Sequence, residues 1–416
     1  MNLRESLAYL DSLANLEKIR LLAGNRSLNL DRMRFLLALF GHPEKSIYPV
    51  LIVGTKGKGS TGFFLQSILK EAGIPAGFYH SPHLESPLER IRLNGKQISE
   101  KLWIKILNRI RETLKKEPLP GKLGAVTYFE VLTLAALLSF QDQKVKIGVL
   151  EAGLGGRLDA VNALDAGLVL VTTIGLDHEE FLGNTAVKIA GEKAGVFRKD
   201  TVIFSAPQNT SVRRVLSARA KTLGARITEV APQKRYSLGL QGDFQKINSA
   251  IALSSVKHLE NICGAKIRED AIRKGLRSTA WPGRVEVFAG KPEVVIDGAH
   301  NPDSAEALTR TLMKFKPKHS CLVFGVSREK NSRAMLQSFS RFCGDIVLTK
   351  ARAARAKDLA ELLVEAQPFF KRIFPVSDSL KALDLAREIA GAAGRVVVTG
   401  SFYLAGEARA QLREGR

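Results

Sequence analysis

The chain opens with a helical rhythm. Leu7, Leu10, Leu13 and Leu16 recur at three-residue steps, and Leu36, Leu37 and Phe40 form a second apolar stripe. The first forty residues are therefore predicted to be helical. Gly41-His42-Pro43 ends that pattern, because proline lacks an N–H and cannot continue a helix. The periodicity then changes. Residues 50–53 (Val-Leu-Ile-Val) form a short apolar run of strand type, followed by a glycine-rich turn and a helical stretch over 61–72. Further strand-like runs fall at 76–79, 145–150, 168–174 and 202–204, with helical patterns between several of them. Strands alternating with helices predict βαβ units and a mostly parallel, covered sheet. A second alternating series begins near residue 286, with strand-like runs at 294–296, 322–324, 346–348 and 396–398 and helical patterns at 304–314 and 380–389. Turn formers in Trp281-Pro282-Gly283-Arg284 separate the two series. The reading is α/β in two domains, 1–285 and 286–416.

Composition narrows the class. The chain has 416 residues, of which 45% are hydrophobic, so each domain can bury a core and global disorder is excluded. The longest mostly apolar run, 131–140, is half of what a membrane span needs (about twenty residues), which predicts a soluble protein. Met1-Asn2-Leu3-Arg4-Glu5 carries no secretory signal. Cys263, Cys321 and Cys343 are odd in number and lack CxxC spacing, which argues against a disulfide framework or a zinc site and for the cytoplasm. The net charge of +22 favours polyanionic ligands. The basic residues are scattered, and aromatics make up 7% of the chain with no basic stripe between them, so no specific nucleic-acid partner is expected.

The strongest local signal is Gly54-Thr55-Lys56-Gly57-Lys58-Gly59-Ser60-Thr61, between a strand and a helix. Glycines let backbone N–H groups turn toward an anion, and the helix amino terminus adds partial positive charge. Lys58 can reach terminal phosphates, and a hydroxyl can join a magnesium shell. The spacing departs from GxxxxGK[ST], since Gly59 intervenes before the hydroxyl. Glu151 ends an apolar run, and Asp177-His178 follows another. In a parallel sheet the strand carboxyl ends line the ligand crevice, so these groups are candidate ligands for a hard cation. Asp297-Gly298-Ala299-His300-Asn301-Pro302 repeats the arrangement in the second domain.

With these motifs in order, the chain resembles the folylpolyglutamate synthase/dihydrofolate synthase family, the folate branch of the Mur ligases. The matching residues include Leu7 through Ala14, the loop with Lys58-Gly59-Ser60, Ser81-Pro82-His83-Leu84 with Glu89-Arg90-Ile91, and Thr127-Tyr128-Phe129-Glu130. They continue through Glu151 to Asn162, Ile174 to His178, Glu192-Lys193-Ala194-Gly195, Gln241 to Gln245, Pro282-Gly283-Arg284 and Asp297 to Pro302.

The resemblance implies a P-loop ATPase domain with a mostly parallel sheet and a smaller Rossmann-like carboxy-terminal domain. It implies an ATP-dependent ligase that joins L-glutamate to a folate or dihydropteroate carboxylate through an acyl phosphate. By matching position, Gly57, Lys58, Gly59, Ser60, Thr61, Asn248, Arg284 and Asp297 fall to ATP. Ser81, Glu151 and His178 fall to magnesium, of which two ions are expected. Lys193 matches a lysine carried as a carbamate, and Lys58, Lys193 and His300 are the expected catalytic residues. Thr127, Tyr128, Phe129, Glu130, Arg157 and Asp159 fall to the folate side. The family also implies a monomer acting on small molecules, with no membrane partner. Two positions depart from its pattern: Lys56 stands where Asn is usual and Val161 where Thr is common. A UDP-muramoyl peptide Mur ligase is the alternative, disfavoured because the loop reads Gly-Lys-Gly-Ser rather than Gly-Lys-Thr-Thr.

Overall fold

The structure is a computed structural model that describes residues 1–15, 29–315, 319–353 and 355–414. The chain divides into two compact units. The first comprises residues 1–83, 87–239 and 245–279, and the second comprises 84–86, 240–244 and 280–416.

Among its described residues the first unit carries a sheet of eight strands: β1 (Tyr48–Val53), β2 (Ala76–Tyr79), β3 (Ile91–Leu93), β4 (Lys96–Gln97), β5 (Ile147–Glu151), β6 (Leu168–Val171), β7 (Val202–Ser205) and β8 (Arg226–Glu229). Their order is β4-β3-β2-β5-β1-β6-β7-β8, parallel from β2 to β8, with β3 and β4 antiparallel at one edge. Continuous apolar runs form the centre because helices cover both faces and leave no side for water. Every residue of β2, β5 and β6 is buried. The helix Tyr128–Asp142 is apolar nearly all round and correspondingly buried.

Three expectations are revised by the local structure. The run at 168–174 leaves the sheet after Val171, because the Thr173 carbonyl accepts from the Thr55 and Lys56 N–H groups and the Ile174 N–H donates to the Gln208 amide. The helix after the glycine-rich turn starts at Lys58 rather than residue 61, so Lys58, Gly59 and Ser60 form its first turn. Among the described residues of the first forty, helix covers Leu3–Asp11 and Leu30–Leu39; Leu13 follows the first of these, and Leu16 lies outside the described residues.

The second unit carries β9 (Glu286–Phe288), β10 (Glu293–Ile296), β11 (Ser320–Phe324), β12 (Asp345–Lys350), β13 (Arg372–Asp378) and β14 (Arg395–Thr399) in the order β13-β12-β11-β14-β10-β9. All neighbours are parallel except β9, which runs antiparallel to β10. Alternate residues feed the two faces: Val295, Leu322 and Val397 join one cluster, and Val294, Val323 and Val398 the other. Among the described residues no helix is long and apolar enough to cross a membrane.

Packing behind the glycine-rich loop is tight. A Cβ on Gly275, in the helix Glu269–Ser278, would lie 2.7 Å from Ile68 Cα in the helix Lys58–Glu71. Gly275→Ala gains about 1 kcal/mol of helix propensity but must push backbone from backbone, at about 1–3 kcal/mol. The expected outcome is a net loss of stability in urea unfolding, and an unchanged or raised midpoint would refute the close crossing.

Candidate functional site

The parallel order brings four chain segments to one edge of the first sheet. The loop after β1, the residues after β2, the end of β5 and the residues after β6 emerge side by side, because β2, β5, β1 and β6 are consecutive neighbours. Ser81, Glu151, the glycine-rich loop and Asp177-His178 therefore share that edge.

Gly57 adopts φ +93°, and a Cβ there would lie 2.2 Å from Asn248 Oδ1, so only glycine fits the entry to the helix. The first-turn N–H groups that follow have no carbonyl within the helix to bond, which makes this terminus an anion cradle. A polar chain supports it from behind. Asn248 Nδ2 donates to Gln245 Oε1 at 2.9 Å, and Gln245 Nε2 donates to Ser60 Oγ at 3.3 Å. Thr55 Oγ1 donates to the Gly175 carbonyl and accepts from the Gly175 N–H, at 3.0 and 3.1 Å. The Thr61 hydroxyl is buried and has no hydrogen-bond partner among the described residues.

Charge is concentrated beyond the cradle. Lys58 Nζ lies 3.8 Å from Glu151 Oε1, and Glu151 is buried at the end of β5. Lys193 is only 4% exposed and directs Nζ toward the Gly155 carbonyl at 3.4 Å. Burial pulls its pKa from 10.5 to about 7; the Lys58 charge pulls the same way, and Asp177 and Asp159 oppose it. Asp159 is also buried and accepts from the Leu154 and Val161 N–H groups. Burial raises it to about 6, with those N–H groups holding it down.

The other candidates are placed as follows. His178 caps the short helix Glu179–Leu182 with φ +49°, its ring half-exposed and 3.9 Å from Asp177. Arg157 is half-exposed and grips Glu192 through Nε and Nη2. Thr127 and Glu130 form the capping box of the helix Tyr128–Asp142, and both Glu130 oxygens also accept from Arg32 Nε, at 2.7 and 2.8 Å. Tyr128 is buried beneath the Arg90 guanidinium, and Phe129 packs against Tyr79.

In the second unit, Arg284 lies between two aromatic faces, 4.7 Å from the Trp281 ring centre and 4.8 Å from that of Phe402. Asp297, at the end of β10, accepts from Val285 N–H at 2.9 Å and Ala299 N–H at 2.8 Å. Burial raises its pKa, and the Arg284 charge opposes the rise. Val285 is held at φ +47°, a strained conformation for a β-branched residue, and Asp297 fixes its N–H. His300 Nδ1 contacts the Gly298 carbonyl at 2.9 Å; a carbonyl only accepts, so Nδ1 carries the proton and in the neutral ring Nε2 is the basic nitrogen.

Gln245, Thr55, Trp281 and Phe402 shape these sites and were not among the candidate residues. Gln245 lies within a recognised motif. Phe402 reaches Arg284 from 118 positions away, and no local signal marks it.

The family model described as Mur ligase, glutamate ligase domain, matches residues 283–402. The chain is 32% identical over 413 residues to the dihydrofolate synthase/folylpolyglutamate synthase of Bacillus subtilis, covering 92% of this chain and 95% of that protein. The structure of Mycobacterium tuberculosis folylpolyglutamate synthase complexed with ADP matches at a TM-score of 0.88 and 30% identity, over 100% of this chain and 98% of that one. Escherichia coli FolC in complex with DHPP and ADP matches at a TM-score of 0.82 and 27% identity, over 100% and 99% of the two chains.

The Lys193 pKa has a measurable consequence. Its folded value of about 7 lies below the 10.5 of an exposed lysine, so between those pH values the unfolded chain binds the proton and the folded chain does not. Stability must rise with pH across that window, by up to about 1.4 kcal/mol per unit. Urea unfolding in CO₂-free buffer should show wild type gaining stability relative to Lys193→Met between pH 7.5 and 9. Parallel pH responses would mean that the buried ammonium stays charged.

Proposed function

The chain belongs to the dihydrofolate synthase/folylpolyglutamate synthase family, and we propose that it is an ATP-dependent ligase that joins L-glutamate to the carboxylate of a folate or of dihydropteroate. The observation that carries this reading is the Gly57–Lys58 helix start beside the buried Glu151 carboxylate, with Lys193 buried next to Lys58.

In this reading a substrate carboxylate oxygen attacks the γ-phosphorus of ATP, forming an acyl phosphate and releasing ADP. The glutamate amine then attacks the acyl carbon, loses a proton and expels phosphate. Gly57, Gly59, Ser60 and Thr61 cradle the phosphates, Asn248 buttresses the loop, and Lys58 offsets the negative charge of the moving phosphoryl group. On the second unit Arg284 and Asp297 are assigned to the nucleotide. His300, with Nε2 as its basic nitrogen, is assigned to the proton released by the amine. Thr127, Tyr128, Phe129, Glu130, Arg157 and Asp159 form the folate-side surface, the Glu130 carboxylate acting there through Arg32 and the capping box.

The oxygen donors of Ser81 and Glu151 suit magnesium, which takes few protein ligands and keeps water, and His178 at the same sheet edge is assigned beside them. Bound there, the ion would supply Lewis-acid neutralisation of phosphate charge. Lys193 is read as a carbamate: burial leaves its amine neutral often enough to attack CO₂, forming an N–C bond and losing a proton. The product would place an anion beside Lys58 where a buried amine stood, and that carboxylate would suit a second magnesium. The protein is read as a cytoplasmic monomer with no nucleic-acid partner.

The decisive experiment supplies ATP, magnesium and L-glutamate with either dihydropteroate or tetrahydrofolate, and identifies products by mass. One added glutamyl residue with one ADP formed per bond is the expected result; ADP formation without a ligated product would overturn the reading. Lys58→Ala should lower kcat at least about a hundredfold while the protein stays folded by circular dichroism. Turnover within threefold of wild type would remove Lys58 from the chemistry.

A further inference from the structure

The segment Ser81 to Glu89 is an excursion with its base in one unit and its tip in the other. The His80 N–H donates to the Arg90 carbonyl at 3.0 Å and closes the base, while Arg90 Nε donates to His83 Nδ1 at 2.9 Å. Both Arg90 and His80 are buried in the first unit. Residues 84–86, however, belong to the second unit. Leu84 packs against the cluster formed by Val294, Val396 and Leu404. Two glycines make room for it. A Cβ on Gly406 would lie 2.5 Å from the Leu84 carbonyl oxygen, and one on Gly283 would lie 2.7 Å from Leu84 Cδ1.

Arg409, on the helix Phe402–Glu414, holds this tip and one thing more. Its Nη1 donates to Glu85 Oε1 at 2.5 Å, and its Nε contacts Glu286 Oε1 and Oε2 at 3.1 and 3.0 Å. Glu286 in turn accepts from the Gly283 N–H at 2.8 Å, which fixes the turn that presents Arg284. The Arg409 side chain is 16% exposed, so these charge-assisted bonds are partly shielded from water. Arg413 adds a longer contact to Glu85, at 3.6 Å.

We propose that Arg409 is a positioning residue for the ligase reaction: through Glu85 it steadies the loop that carries Ser81, and through Glu286 it steadies the turn that carries Arg284. Its effect on magnesium and nucleotide rests on the roles proposed above for Ser81 and Arg284. Ser81 is three residues from Leu84, a reach of at most about 11 Å of extended chain, so an anchored tip confines it. A guanidinium is suited to the task because one rigid fork can serve two carboxylates, which an ammonium on a flexible stem does poorly.

The test uses the full chain. In the ligand-free protein, Arg409→Ala should raise amide exchange within 80–90 and within 282–287 while leaving the other peptides unchanged. Glu85→Gln, nearly isosteric, should loosen 80–90 alone, and Glu286→Gln should loosen 282–287 alone. In steady-state assays, Arg409→Ala should raise both the half-saturating magnesium concentration and the KM for ATP by about tenfold each, with a smaller change in kcat. Glu85→Gln should move only the magnesium dependence, Glu286→Gln only the KM for ATP, and Arg409→Lys should recover part of both. Exchange that rises evenly over the whole chain, or in neither segment, would overturn the proposal. So would raised exchange with unchanged magnesium and ATP dependence. A Ser81→Ala reference separates the causes: if it too leaves the magnesium dependence unaltered, the assignment of Ser81 to the metal has failed and the magnesium half of the proposal falls with it.

Discussion

Two lysines meet at the edge of the first sheet closely enough for one charge to disfavour the other, and one of them, Lys193, is buried; the rest of the site is arranged around that fact. Lys193 is buried, Lys58 raises the cost of charging it, and no bond within the described residues neutralises it as an ion-pair partner at hydrogen-bond distance would. A buried ammonium beside a like charge is unfavourable unless the group sheds its proton or acquires negative charge. The scaffold tolerates the arrangement because β2, β5 and β6, with every residue buried, and β1, buried from Val50 onward, fix the four segments that meet there. The neutral amine that results is the state a lysine needs to act as a nucleophile.

The second unit meets a related problem by other means. Arg284 is placed against two aromatic rings, which satisfy a guanidinium's faces without neutralising it. Asp297 uses its two oxygens on backbone N–H groups, one belonging to a valine in a left-handed conformation. The strain at Val285 is thus tied directly to the residue beside Arg284, so the turn has little freedom to relax.

Much of this is legible in the sequence, and the omissions have physical causes. The central strands read as apolar runs because both their faces are covered. Edge strands do not: β8 reads Arg-Ile-Thr-Glu, and β4 is the exposed pair Lys96-Gln97, so neither carries a hydrophobic signature. The glycine-rich loop is legible because its chemistry is local, resting on consecutive residues. Its supports are not, since Gln245 reaches Ser60 across 185 positions and Arg32 reaches Glu130 across 98. The motif containing Glu130 is visible in the sequence, but its buried ion pair is a product of folding. The end of β6 is likewise decided by Gln208, which bonds the Thr172 carbonyl and the Ile174 N–H, and by the loop after β1, which bonds the Thr173 carbonyl.

The intrusion of residues 84–86 and 240–244 into the second unit also sets an order for biosynthesis. Glu85 leaves the ribosome 324 residues ahead of Arg409, the group that holds it. A domain made of contiguous chain can fold as soon as its last residue emerges. Here the first unit can assemble its sheet once β8 and the helices through 279 are out, yet the tip between Ser81 and Glu89 still has no place to dock. Leu84 must wait, an apolar side chain without its core, until the helix Phe402–Glu414 has been made. The assembled enzyme therefore depends on one of the earliest segments of the chain staying available to one of the latest.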